Sequence, residues 1–112
     1  MKKIVFLVVM TLTSASVFSA PVIHMGVGGV VSCGTFLNGT PSETQDRLSW
    51  AVGYLSGINS SGFFGKTDIL LTSDLGGIKA NLVNYCTNHP LEKFLGAVQQ
   101  TAIDLALEAR KK

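Results

Sequence analysis

The sequence predicts an all-α fold: a small four- or five-helix bundle with a single disulfide, following a cleaved signal peptide. Three observations predict it. Apolar residues recur at helical spacing in three separate segments, the 112-residue chain has only two cysteines, and its N-terminus has the layout of an export signal. Because every segment with a clear pattern is helical, we expect helices packed on helices around one core.

Residues 1–19 have the three parts of a secretory signal. Two lysines precede an apolar run that ends at Leu12, and small and polar residues follow it. A run of this length is too short for a permanent membrane helix, which needs about 20 apolar residues. We therefore expect cleavage after Ser19 and no stable membrane insertion. The alternative is a lipid on Cys33, which would leave Cys86 without a partner.

Residues 20–32 are apolar and rich in glycine, and they lack a helical period. They are interpreted as a flexible leader or an edge segment that precedes the folded domain, residues 33–112. The glycines of this stretch do not form a phosphate-binding loop, because no lysine follows them and no strand and helix frame them.

Cys33 and Cys86 are expected to form the disulfide, since no third thiol competes for pairing. A closed loop of this size stabilises a small domain by about 4 kcal/mol in the chain-entropy model. A structural disulfide also requires an oxidising compartment, and with the lysine-rich signal this predicts a bacterial periplasm.

The net charge of +2 comes from the two lysines of the signal. Without residues 1–19 the chain has 93 residues, with seven basic and seven acidic side chains. Three of the basic residues are the last three of the chain, where they suit a helix C-terminus. No basic surface remains that would attract nucleic acid.

The first long helix is predicted from Pro41 to about Ser60, with Ser42 as the N-cap and Gln45 as its capping-box partner. Its buried stripe is identified by three- and four-residue spacing, and an aromatic pair, Trp50 and Tyr54, extends that face. The residues of the stripe are Leu48, Ala51, Val52, Leu55 and Ile58.

Gly53 and Gly57 lower the helix propensity of this segment by about 1 kcal/mol each. We expect the loss to be offset by the close approach of another helix. The alternative is that this face of small residues forms a groove for a partner protein.

Residues 62–68 interrupt the helical pattern and predict a loop, in which Phe63 and Phe64 either pack beneath the helices or stand exposed. A second helix of about three turns should follow and end near Cys86, with Thr72, Ser73 or Asp74 as its cap. Its predicted buried residues are Leu71, Leu75, Ile78, Leu82 and Tyr85.

A third helix is predicted to begin at Pro90, with Asn88 as a candidate cap. Cys33 and Phe36 are placed on a further short helix before the turn at residues 38–40. The predicted buried face of the last helix is Leu91, Phe94, Leu95, Val98, Ala102, Leu105 and Ala109.

The chain offers little for catalysis. His24 and His89 have no cysteine or carboxylate at metal-ligand spacing, no serine stands in a nucleophile motif, and there is no Cys-x-x-Cys pair. We expect a protein that is not an enzyme and that uses no cofactor or metal. The candidate client- or partner-binding residues are Trp50, Gly53, Tyr54, Gly57, Phe63 and Phe64.

Two cysteine-bearing segments carry a family resemblance. Cys33-Gly-Thr-Phe-Leu37 and Tyr85-Cys-Thr-Asn-His-Pro90, followed by an amphipathic helix, resemble the corresponding segments of the HdeA/HdeB family of periplasmic acid-stress chaperones. The resemblance covers roughly residues 31–108 and implies a small helical protein with one disulfide. The glycine-rich segment 50–59 departs from it, and is similar to the Gly-Tyr-x-x-Gly segments of Rap/Tai-type immunity proteins, which neutralise secreted cell-wall amidases.

These resemblances imply two functions, a chaperone that binds unfolded clients in acid or an inhibitor of one cognate amidase. A third interpretation is a secretion-associated or envelope protein of other purpose. The partners expected are proteins, and a homodimer is left open. In acid, protonation of the seven carboxylates would give the chain without its signal a charge of about +10.

Overall fold

The computed structural model describes residues 26–112, and within them the chain is helical with no strand. The predicted all-α class is therefore confirmed. The predicted signal peptide, residues 1–19, lies outside the described residues. The helices are α1 (Gly26–Gly29, a single turn), α2 (Cys33–Leu37), α3 (Pro41–Ser61), α4 (Leu75–Asn88) and α5 (Phe94–Arg110).

Residues 26–32, which belong to the predicted flexible leader, pack on the helices, whereas residues 20–25 lie outside the described residues. Gly28 is buried, and a Cβ atom at this position would lie 2.7 Å from the ring of Trp50. Glycine is required here because the backbone of α1 lies directly on the indole ring.

The short helix α2 carries Cys33 and Phe36, as predicted. Ser32 is its N-cap, because the backbone N–H of Thr35 donates to the Ser32 hydroxyl at 3.1 Å. Both Cys33 and Phe36 are buried, so this helix contributes one cysteine of the disulfide and one aromatic ring to the core.

The helix α3 begins with a capping box two residues earlier than predicted. Thr40, not Ser42, is the N-cap: its hydroxyl accepts from the N–H of Glu43 at 3.2 Å, and the Glu43 carboxylate accepts from the N–H of Thr40 at 3.0 Å. The prediction with Gln45 was wrong because Pro41 occupies the first helical position, where its missing N–H is not needed.

The predicted stripe of α3 is largely confirmed. Leu48, Ala51 and Leu55 are buried, and Val52 and Ile58 are half-buried. Arg47 is also buried, at 7% exposure, which the apolar spacing did not predict. The helix packs against α1, α2 and α5, and its C-cap is Gly62, whose left-handed φ of 73° suits glycine.

The connection between α3 and α4 is held by Asn59. Its side chain accepts from the N–H of Ile69 at 3.0 Å and donates to Asp68 at 2.9 Å. Ile69 is fully buried, whereas Leu71 is 68% exposed, which corrects the predicted stripe. The period failed here because residue 71 precedes the helix, so helical spacing does not apply to it.

The helix α4 is capped by Asp74, one of the three predicted candidates, whose carboxylate accepts from the N–H of Gly77 at 2.9 Å. Ile78 and Leu82 are buried with Cys86, as predicted. Leu75, predicted to be buried, is 49% exposed because it begins the helix at the edge of the core.

The last helix begins at Phe94, not at Pro90. Asn88 is the final residue of α4 and does not cap α5, and Leu91 is 94% exposed. The N-cap residue Lys93 makes no side-chain cap bond, because its ammonium group can only donate. The N–H of Phe94 donates to the carbonyl of Val31 at 2.8 Å. A backbone contact therefore does the work that a cap side chain does elsewhere.

One core lies between α2, α3, α4 and α5. The rings of Phe36 and Phe94 stack at its centre, with centroids 4.4 Å apart. On α5, the predicted residues Val98, Ala102 and Leu105 are buried. Ala97, Thr101 and Ala106 complete the buried face, while Leu91 lies outside it and Leu95 and Ala109 are only partly buried.

Candidate binding surface

The disulfide is the one predicted site contact that the structure forms directly. Cys33 and Cys86 are bonded, their Cα atoms lie 4.7 Å apart, and neither side chain is exposed. No free cysteine exists in the described part of the chain. This bond links α2 to the C-terminal part of α4, where it lies in the core and serves the fold.

A backbone ladder lies beside the disulfide. The N–H groups of Cys33 and Gly34 donate to the carbonyls of Glu92 and Pro90, at 2.7 and 2.8 Å. Together with the Phe94 contact, these bonds hold residues 31–34 along the α4–α5 connection. The same segments are thus joined twice, once covalently and once through the main chain.

Trp50 and Tyr54 lie together on the side of α3 that faces α5. Their ring centroids are 5.5 Å apart, and Trp50 also lies 6.2 Å from Phe94. Gln99 of α5 donates to the Tyr54 hydroxyl at 3.3 Å. Both rings are half-buried, so they close the seam between α3 and α5 and leave only their edges for a partner.

Gly53 and Gly57 correct the prediction that another helix approaches this face. Both residues are exposed, and a Cβ atom added at either position would meet nothing within 4 Å among the described residues. The glycines lie on the side of α3 opposite to its buried leucines, because positions 53 and 57 fall outside the stripe. The packing gain that was expected to offset their low propensity is therefore not made within the fold.

Phe63 and Phe64 have different environments. Phe64 is partly buried against the core, whereas Phe63 is 77% exposed and touches Phe64 edge-on, with centroids 5.0 Å apart. They stand at the C-terminal end of α3. The predicted binding residues thus fall into three groups: a half-buried aromatic pair between α3 and α5, an uncovered glycine face, and a loop in which Phe63 is exposed.

An apolar groove was missed by the sequence analysis. It has a volume of about 470 Å³ and lies between α3 and the segment that leads into α4. Its apolar lining comes from Val52, Leu70, Leu75 and Ile78, and serine and carboxylate groups stand at its edge. Helical spacing along one segment does not indicate this groove, because the groove combines side chains from three separate segments.

An ion pair at the start of α3 was also missed. One Arg47 nitrogen donates to the Glu43 carboxylate at 3.2 Å, and the other terminal nitrogen donates to the carbonyl of Thr35 in α2 at 3.3 Å. The pKa of Glu43 lies below its ordinary value, chiefly because the carboxylate accepts from the N–H of Thr40. The Thr40 hydroxyl and, more weakly, Arg47 act in the same direction. A carboxylate on the surface thereby fixes a buried guanidinium across two helices.

Polar side chains also join α4 to α5. The Asn81 amide donates to Thr101 at 3.1 Å and to Asp104 at 3.0 Å, and Gln100 donates to the other oxygen of Asp104. Thr101 is fully buried and donates to the carbonyl of Ala97, so its polar group is satisfied. This network has a structural role.

His89 lies in the turn after α4, while His24 is outside the described residues. The His89 ring stacks on Tyr85 at 4.3 Å and its Nδ1 atom is 3.0 Å from the Tyr85 carbonyl. The Tyr85 hydroxyl donates to Glu92, and this bond, with some burial, raises the pKa of Tyr85. Residues 26–112 hold no group of three metal-ligating side chains.

No protein-family model matches this chain, and neither does any of the curated proteins or solved structures with which it was compared. Among the helices of residues 26–112, none combines the length and the apolar character that crossing a membrane demands.

Proposed function

We propose that the chain is a small, non-enzymatic periplasmic protein that binds unfolded proteins in acid, an acid-stress holdase similar to those of the HdeA/HdeB family. In this proposal residues 1–19 direct export and are then removed. The single observation that carries the proposal is the open apolar groove between α3 and the start of α4.

The groove suits clients that expose apolar side chains. Val52, Leu70 and Ile78 form its apolar walls, and Leu75, half-exposed, stands at its rim. Leu71 lies beside Leu70 in the chain and is 68% exposed. An open apolar surface of this kind binds apolar segments without selecting for their sequence, as a holdase must.

Charge supplies the acid dependence. Above pH 5 the seven acidic and seven basic side chains of residues 20–112 balance, whereas near pH 2 the carboxylates are neutral and the charge approaches about +10. Mutual repulsion then favours an expanded chain, and the disulfide between α2 and α4 limits that expansion. Apolar faces around the groove would become available while the helices persist.

The deciding experiment measures how far the purified protein suppresses aggregation of an unrelated periplasmic extract at pH 2 to 3, and again at pH 7. Equimolar or moderately higher amounts should keep the clients soluble in acid only. Leu75→Gln should weaken the protection because it makes the groove rim polar. Leu91→Gln is the matched control, since Leu91 is 94% exposed and lies outside the groove. Absence of protection by the unaltered protein in acid would end the holdase proposal.

A second candidate is an immunity protein that binds a secreted cell-wall amidase. The uncovered face at Gly53 and Gly57, with Phe63 exposed near the end of the same helix, favours it, because a bare helix backbone allows close approach of a partner. Under this alternative the protein forms a one-to-one complex with such an amidase at neutral pH. Gly53→Leu should then abolish the complex without unfolding the protein.

A further inference from the structure

Arg47 is the only charged side chain in the buried set of residues 28–112. It is 7% exposed, and its guanidinium lies so close to the backbone that a Cβ atom on Gly39 would be 2.6 Å from one of its nitrogens. A guanidinium stays protonated throughout the accessible pH range, so it cannot relieve its burial by losing charge. Its stability in the fold therefore depends on its partners.

Those partners are one carbonyl and one carboxylate. The Thr35 carbonyl in α2 accepts from one nitrogen, and Glu43 accepts from the other. Glu43 also closes the capping box with Thr40, so the same carboxylate fixes both the first turn of α3 and the side chain that ties α3 to α2. Only Glu43 supplies the negative charge in this arrangement.

Other charged groups near the pair are few. The cleft beside it is lined by Gly28, Glu43, Asp46, Arg47 and Trp50, and Asp46 makes no ion pair with Arg47. A second cleft lies on the side of α2, and among the described residues that line it only Glu43 is titratable. Neither α1 nor α2 contains a charged residue.

We propose that the Glu43–Arg47 pair is an acid-released latch between α2 and α3. Protonation of Glu43, whose side chain is 52% exposed, leaves the guanidinium of Arg47 without its counter-charge. A buried charge that loses its partner destabilises the folded state. Arg47 then moves to solvent, the start of α3 separates from α2, and the cleft beside Trp50 opens. As the trigger of the holdase this inference rests on the proposed function, but the latch itself is a property of the fold.

The direction of the pH effect follows from the lowered pKa of Glu43. A carboxyl group whose pKa is lower in the folded state stabilises that state above its ordinary pKa of 4.5. The contribution disappears as the pH falls through the folded-state pKa. The latch is therefore closed at neutral pH and opens as the pH falls below 4.5.

Trp50 fluorescence reports the opening, because the indole ring borders the same cleft. In Glu43→Gln the side-chain amide can still complete the capping box but carries no charge, so the latch is weakened already at neutral pH and the midpoint of the acid-induced red shift should move to higher pH. Asp46→Asn is the matched control, since it removes one carboxylate from the same cleft and helix without breaking an ion pair.

Arg47→Met tests the latch from the other side. Methionine fills the buried space without a charge, so this variant should unfold at a lower pH than the unaltered protein. Equal midpoints for Glu43→Gln, Asp46→Asn and the unaltered protein would overturn the latch, as would an unchanged acid midpoint in Arg47→Met.

Client protection, measured on the same variants, separates the two proposals. Shifted midpoints without any client protection would leave the latch standing and remove the holdase. Client protection by the unaltered protein with unshifted midpoints in the variants would remove the latch and leave the holdase standing.

Discussion

The region around α2, α4 and the start of α5 differs from α3 in how it is held. The first has a buried disulfide, three main-chain bonds between separate segments and a polar network between helices. The second is attached by the packing of its leucine stripe, by the hydrogen bond from Gln99 to Tyr54 and, at its first turns, by one buried arginine. This comparison teaches that one small domain can combine a stapled part with a part whose attachment responds to pH.

Reduction of the disulfide should produce the largest effect, because it removes the staple from the better-held region. Cys33 and Cys86 are 53 positions apart, and opening the loop that they close should lower the free energy of unfolding by about 4 kcal/mol. Urea unfolding with and without reductant measures the difference. A variant with both cysteines replaced by alanine is the control: reductant should leave its unfolding midpoint unchanged, so a loss seen only in the protein with its disulfide is specific to the bond. Two reactive thiols in the oxidised protein would mean that the disulfide is absent, which would contradict the comparison of the two regions.

The start of α3 is expected to depend on Thr40 and not on Ser42. Thr40→Ala removes the hydroxyl that accepts from the N–H of Glu43, so the free energy of unfolding should fall by about 1 kcal/mol. Ser42→Ala is the control: Ser42 is exposed within the first turn and should be nearly neutral. Thermal unfolding of both variants checks this. Equal losses would mean that the capping box contributes nothing to the attachment of α3.

The outer face of α3 should give the smallest effect, in the opposite direction. Gly53→Ala places a methyl group in open space and improves helix propensity, so the free energy of unfolding should rise by up to about 1 kcal/mol. Gly28→Ala is the contrasting substitution, since its methyl group would meet the Trp50 ring. Chemical denaturation compares the two. A destabilised Gly53→Ala at low protein concentration would indicate that this face is covered after all.

The sequence was sufficient to predict the helical class, the disulfide and the central stripe of α3, because these depend on periodicity and on the number of cysteines. It misassigned Leu71 and Leu91, which stand outside the helices, and Asn88, which ends α4 and does not cap α5. Apolar residues near a helix end continue its spacing by chance, and only the cap geometry shows where the helix begins.

The candidate site was less predictable than the fold. The groove combines Val52, Leu70 and Leu75 from three segments, and the Arg47 contact joins two helices through a backbone carbonyl that has no side-chain signature. Gly53 and Gly57 were singled out for their low helix propensity, but the expected close approach of another helix was wrong, because their surroundings depend on which face of α3 the leucines bury. Helix propensity identifies these two glycines as exceptions, but tertiary packing decides whether they are buried or exposed.

The position of the disulfide also determines what a protease can achieve. Residues 33 and 86 close a covalent ring that contains α3 and the connection to α4, including the exposed Phe63 and Leu71. Exposed connections of this kind are where proteases cut most readily. A single cut there opens the ring but releases no fragment, because both pieces stay joined through Cys33 and Cys86. The two pieces of the nicked chain would stay together until the bond is reduced, so a single cleavage does not remove either piece.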